Sequence, residues 1–135
     1  MNGFRLLSFV LLFSFIGLET SAKETDANQS EKEITKVYYF HKNRRCPTCM
    51  AIEKQTRKVL KEAPYAAAKD NKELAFKSMN SENSVHTKLV KELKVSGSAL
   101  IILKGDEKID LTNQAFLYAR KQPEKFQVIL CEALD

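Results

Sequence analysis

Cys46 and Cys49, in the run Arg44-Arg45-Cys46-Pro47-Thr48-Cys49, are the residues of this chain best suited to chemistry. An apolar stretch, Tyr38-Tyr39-Phe40, runs into the polar turn His41-Lys42-Asn43-Arg44-Arg45, and the turn runs into a predicted helix. Cys46 falls where the first backbone N–H groups of that helix have no partner. The partial positive charge of a helix start favours a thiolate over a thiol. Arg44 and Arg45 add positive charge on the approach and are the candidate thiolate-stabilising residues. Pro47 suits the first helical turn, because its missing N–H had no acceptor to lose.

Helical periodicity separates the two thiols. Cys49, Ile52, Thr56, Val59, Leu60 and Ala63 recur at spacings of three and four and form one predicted face. Cys49 therefore belongs to the buried side, and Cys46 sits exposed at the tip. An accessible acidic thiol with a sheltered thiol one turn later is the arrangement of a dithiol redox centre. The first thiolate attacks a disulfide, and the second resolves the mixed disulfide. Two plainer readings compete. A C-x-x-C pair is also half of a zinc site, but a four-ligand site would need nearly all of the remaining soft ligands, His41, His86 and Cys131. Two unreactive core cysteines are the other. The strand–turn–helix context favours redox chemistry. His86 reads as an ordinary surface or partly buried histidine, and Cys131 as a structural or incidental thiol.

The compartment bears on this choice. Of the 135 residues, Leu6 to Leu18 form an apolar run of 13, with Arg5 before it and Thr20-Ser21-Ala22 after it. That length suits a signal-peptide core and is short for a membrane span. Residues 1–22 are expected to be removed and the mature chain to begin near Lys23; an uncleaved N-terminal anchor is the alternative. Export, to the periplasm in a bacterium, would let disulfides persist. A bridge between Cys46 and Cys49 closes so small a loop that chain entropy makes it a poor staple. Exchange chemistry explains it better.

The net charge is +5. Lys54, Arg57, Lys58 and Lys61 follow the dithiol on the solvent side of its helix. No aromatic-laced patch or binding module accompanies them, so a nucleic-acid partner is not expected. The plain reading is a solvated lysine-rich helix face; a basic rim also suits acidic partners.

About 113 residues remain after removal of the signal segment, enough for one domain. Residues 23–33 are polar and read as a flexible lead-in. The domain spans 34–135. Ile34 to Phe40 is a strand without clean alternation, as expected when both faces are covered. The dithiol helix is expected to run to Glu62, before Pro64. Ala66 to Ala68 favour a short helix, and Leu74 to Met79 a strand. Ser81 to Ser84 can cap a helix with Val85, Leu89, Val90 and Leu93 inward. Ala99 to Leu103 is the most apolar strand. Gly105-Asp106 turns it back into Lys108 to Leu111 as a hairpin. Thr112 can cap a last helix with Ala115, Phe116 and Ala119 inward. Pro123 restarts it, with Phe126, Ile129, Leu130 and Ala133 as a second stripe. Strands joined through helices, then a hairpin, imply a small mixed sheet covered by helices on both faces.

This order, with Cys-Pro-Thr-Cys after the first strand, resembles the thioredoxin superfamily over roughly Glu33 to Asp135. The string from Tyr38 to Ala51 also resembles a group of small exported bacterial thioredoxin-like proteins, some of which carry an ArsF-type nitroreductase-subunit label. No flavin or nicotinamide site is visible in the sequence. The resemblance implies an α/β fold, a thioredoxin-like three-layer sandwich with a central mixed four-stranded sheet flanked by helices. It implies Cys46 as nucleophile and Cys49 as resolving cysteine. Gly97 and Ser98 match the substrate loop, with Ser98 where most of the family has a cis-proline. A cis bond before Ser98 would cost about 2.5–4 kcal/mol, so a trans bond is expected. Arg45 replaces the usual tryptophan. The buried acid of thioredoxins falls near Tyr39 or Phe40, both aromatic, so proton removal from Cys49 would use water or another group; His41 is the nearest candidate, though it reads first as the top of the strand. The Pro-Thr pair resembles glutaredoxins and disulfide oxidants. Taken together, an exported thiol–disulfide oxidoreductase is expected, with no organic cofactor and no metal. Its partners would be protein thiols or disulfides, small-molecule disulfides, or a membrane electron donor. A membrane association follows only if the N-terminal segment is uncleaved. The competing expectation is a thioredoxin-like module that holds a soft metal or a client protein without turnover.

Overall fold

The computed structural model describes residues 33–135. The expected signal peptide (1–22) and, apart from Glu33, the expected lead-in (23–33) lie outside the described residues. Strand β1 (Thr35–His41) is the spine of a four-stranded sheet in the order β2-β1-β3-β4. β2 (Leu74–Asn80) runs parallel to it, with Thr35 opposite Leu74 and His41 opposite Asn80. β3 (Ala99–Lys104) runs antiparallel on the other side, with Phe40 opposite Ala99. The hairpin at Gly105-Asp106 returns the chain as β4 (Glu107–Asp110). Gly105 takes φ +53°, the left-handed conformation such tight turns need.

The crossover from β1 to β2 contains α1 (Pro47–Val59) and the short α2 (Tyr65–Asp70). The crossover from β2 to β3 contains a 3-10 turn (Ser84–His86) and α3 (Thr87–Glu92). After β4 come α4 (Thr112–Tyr118) and α5 (Pro123–Leu134), the latter with Pro123 in its first turn.

β1 is apolar on both faces because both faces are covered. Val37 and Tyr39 join Leu100 and Ile102 of β3 beneath Ile52, Val59, Ala115, Phe126 and Leu130, so α1, α4 and α5 share one side of the sheet. Phe40 and Ile101 point the other way, toward Met79 and Leu93, with Leu89 and Val90 of α3 against them. The expected α/β architecture, three layers with a central mixed four-stranded sheet flanked by helices, is the one observed. No helix among the described residues is long and apolar enough to cross a membrane.

Four local expectations fail. α1 stops at Val59 with Leu60 as its cap, short of Glu62, so Ala63 leaves the helical phase and is exposed. Val85 is 79% exposed rather than inward, because the segment opens as a 3-10 turn with a different residue phase from an α-helix. Asn83, within the expected Ser81–Ser84 turn, caps that segment by accepting from the Val85 N–H at 3.0 Å. Phe116 is exposed, since Ala115 and Ala119 already occupy the inward line of α4. Thr112 is the first helical residue and not the cap. Its Oγ1 accepts from the Leu100 N–H at 3.1 Å and ties α4 to the start of β3.

Candidate functional site

The turn between β1 and α1 is fastened to the end of β2. Ser81 donates to the His41 carbonyl through its N–H at 2.8 Å and its hydroxyl at 3.2 Å. The Asn43 N–H donates to Glu82 Oε2 at 2.7 Å, and Asn80 Nδ2 donates to Asn43 Oδ1 at 2.6 Å. His41 Nδ1–H donates to the Lys42 carbonyl at 3.0 Å. The imidazole thus closes the end of the strand.

These bonds deliver Cys46 to the start of α1 as its N-cap, with extended φ and ψ of −83° and 161°. Its Sγ accepts from the Cys49 N–H at 3.1 Å, doing for this helix what a serine oxygen usually does. No acidic side chain stands in the first turn to offset the positive helix end. Cys46 is exposed, and Cys49 is only 6% exposed. The Cα atoms are 5.0 Å apart and the two sulfurs are at disulfide distance. An attacking sulfur with a hydrogen-bond donor behind it and a sheltered sulfur in reach can carry out two-step exchange.

Beneath this pair lies a network that the sequence does not announce. Tyr39, fully buried, donates from its hydroxyl to the Cys49 carbonyl at 2.7 Å. Burial holds the Tyr39 phenol above its ordinary range, against an opposing pull from Arg45, so it remains a donor. The Arg45 guanidinium lies 5.9 Å from the Tyr39 ring centroid and pairs with Glu53 Oε2. Glu53 also accepts from Arg57, at 2.9 Å from Nε and 2.6 Å from Nη2. Burial alone would raise the Glu53 carboxyl, but hydrogen bonds from Arg57 and Arg45 hold it below the usual range. The Glu53–Arg57 pair has the i, i+4 spacing that a sequence can reveal. The Arg45–Glu53 and Tyr39–Cys49 contacts join different elements and have no such signal.

Of the two arginines expected at the thiolate, Arg44 is exposed and Arg45 is engaged by Glu53. The Gly97–Ser98 loop precedes Ala99, which pairs with Phe40, so it stands at the same end of the sheet as the dithiol turn. Gly97 has φ +93°, a backbone conformation that favours glycine, and the flexible end of Lys42 packs over it. The Gly97–Ser98 peptide is trans, as expected. Cys131 lies on α5, half-buried, far along the molecule from the dithiol. Its carbonyl and Asp135 Oδ1 accept from the Tyr65 hydroxyl at 3.4 and 2.7 Å. Burial, reinforced by Asp135, pushes the Tyr65 phenol well above its ordinary range. Among the described residues, no three His, Cys, Asp or Glu side chains converge as metal ligands.

No family model and no curated protein matches this chain. Among solved structures, it is similar to that of a malarial protein, at 16% identity and a TM-score of 0.41, over 63% of this chain and 94% of that one. It is also similar to the solution structure of a thioredoxin from Thermus thermophilus, at 17% identity and a TM-score of 0.38, over 73% of this chain and 74% of that one.

Proposed function

We propose that this protein is an exported thiol–disulfide oxidoreductase that works through Cys46 and Cys49. The observation that carries the reading is the exposed Cys46 Sγ at the cap of α1, with the buried Cys49 sulfur at disulfide distance from it. In the reductive direction, the Cys46 thiolate attacks a partner disulfide. A Cys46–partner bond forms and one partner thiolate leaves. The Cys49 thiolate then attacks the Cys46 sulfur, the second partner thiolate leaves, and the Cys46–Cys49 disulfide remains. The partner gains two electrons, and a dithiol donor restores the reduced pair. In the oxidative direction the same steps run backwards. The helix end and the Cys49 N–H favour the thiolate at Cys46 in both. The apolar run before Thr20-Ser21-Ala22 supports an oxidising compartment for the protein.

Catalysed reduction of insulin with dithiothreitol as donor tests the reading. Wild type should accelerate precipitation of the insulin B chain, and Cys46→Ala should not. A wild-type rate equal to that of dithiothreitol alone would overturn it.

The trans Ser98 in place of a proline favours a second reading, a module that holds a client protein or a soft metal without turnover. Tight binding of a client or of a soft metal ion by the reduced protein, with no insulin turnover, would establish that reading instead.

A further inference from the structure

We propose that the outer face of α1 is a docking groove for an extended acidic segment of the partner, on either side of the cysteine that Cys46 attacks. The proposal rests on the oxidoreductase reading and names the substrate class of that site.

A groove of about 510 Å³ lies along this face. Met50, four residues beyond Cys46, opens it and is 52% exposed. Lys54, Lys58 and Lys61 continue the line and are all exposed. Met50, Lys54 and Lys58 follow Cys46 in steps of four residues and Lys61 stands just past the helix end, so the row leads away from the tip that carries the reactive sulfur. The single acid in the lining, Glu53, is already neutralised by Arg45 and Arg57. Arg57 is in turn held over the Phe76 ring at 4.8 Å. The groove therefore has one fixed wall and a row of ammonium groups, with no carboxylate left for them. Lysines three and four residues apart repel one another. A row of anions would remove that repulsion.

The spacing selects the shape of the occupant. Lys54 and Lys58 are one helical turn apart, about 6 Å along the axis. Alternate residues of an extended chain are about 6.6 Å apart and point to the same side. Carboxylates at every second position would match the row. Lys54 is eight residues from Cys46, about 12 Å along the helix. An extended partner covers that in about four residues. The acids should thus stand about four and six residues from the partner cysteine.

The test uses two peptides, each with a cysteine carrying 5-thio-2-nitrobenzoate. One has glutamates four and six residues away on both sides, and the other has glutamines there. The Cys46 thiolate attacks the peptide sulfur and expels the coloured thiolate, and Cys49 then releases the peptide thiol. At low ionic strength the reduced protein should favour the acidic peptide about tenfold. The preference should vanish near 1 M salt, where screening acts within about 3 Å. It should also vanish in Lys54→Ala/Lys58→Ala/Lys61→Ala. It should persist in Lys69→Ala/Lys88→Ala/Lys91→Ala, which loses the same charge elsewhere. Equal rates for the two peptides, or equal loss of preference in both variants, would overturn the groove. If neither peptide reacts, the oxidoreductase reading fails. Anisotropy of the labelled acidic peptide with serine for cysteine, titrated with the oxidised protein, then decides the groove by itself. Binding lost only in the Lys54/Lys58/Lys61 variant supports it. No binding, or binding of phosphatidylglycerol vesicles through these lysines without binding of the peptide, overturns it.

Discussion

On the inner side of α1, Cys49, Ile52, Thr56 and Val59 meet the sheet and are buried. On its outer side, Cys46, Met50, Lys54 and Lys58 face solvent. One side joins the helix to the core that Val37, Tyr39, Leu100 and Phe126 share. The other presents a sulfur and a line of positive charge. Glu53 stands at the border, paired with Arg45 of the turn and Arg57 of the helix. In the proposed reaction, this contrast gives opposite roles to two chemically identical thiols. Exposure makes Cys46 the group that a partner can reach. Cys49 is buried and its carbonyl is held by Tyr39, which suits the resolving role proposed for it.

The sharpest way to break this comparison is to remove one thiol at a time. Cys46→Ala should abolish exchange, since the remaining sulfur is sheltered. Cys49→Ala should still attack but should accumulate mixed disulfides with partners. Non-reducing gels read both outcomes, with Cys131→Ser in each background to remove stray adducts. Trapping by Cys46→Ala and not by Cys49→Ala would reverse the assignment.

A large effect of another kind should come from the inner side. Ile52 is fully buried, and Ile52→Ala should lower stability by about 2–5 kcal/mol. The denaturant midpoint should fall with little change in slope. A loss below 1 kcal/mol would mean that α1 is loosely seated.

The border residue should show a smaller and pH-dependent effect. Glu53→Gln should cost about 1 kcal/mol at neutral pH, because two arginines lose a charged acceptor and one of them is half exposed. The folded protein holds this carboxyl below its ordinary range. Its stabilisation is therefore complete above the unfolded value of about 4.3, and is lost as pH falls through the folded value. Denaturation midpoints of wild type and variant should differ above about pH 5 and converge in acid. A gap that stays constant with pH would assign the effect to packing.

The smallest effect concerns Thr56. Its Oγ1 is buried with no hydrogen-bond partner. Thr56→Val keeps the shape and removes the unpaired hydroxyl. Stability should rise by up to about 1 kcal/mol. A clear loss would show that the hydroxyl has a partner in solution.

Local order made much of this legible in the chain alone. The cap position of Cys46, the start at Pro47 and the burial of Cys49, Ile52, Thr56 and Val59 follow from helix geometry over a few residues. A run apolar on both sides marked β1 as a strand covered on both faces, and Gly105-Asp106 marked the hairpin. The tertiary structure alone decided where the long polar side chains end. The sequence places Arg45 beside Cys46, and its pairing with Glu53 arises because α1 brings that carboxylate beside the turn. Tyr39 looked like plain core, and its hydroxyl meets the Cys49 carbonyl only because the helix lies across β1. Val85 and Phe116 matched an inward pattern that a 3-10 turn and a short helix do not present. Backbone periodicity acts between neighbours in sequence and can be read there. The end point of an arginine or a tyrosine depends on which groups the other elements place within its reach, and only the folded arrangement decides that.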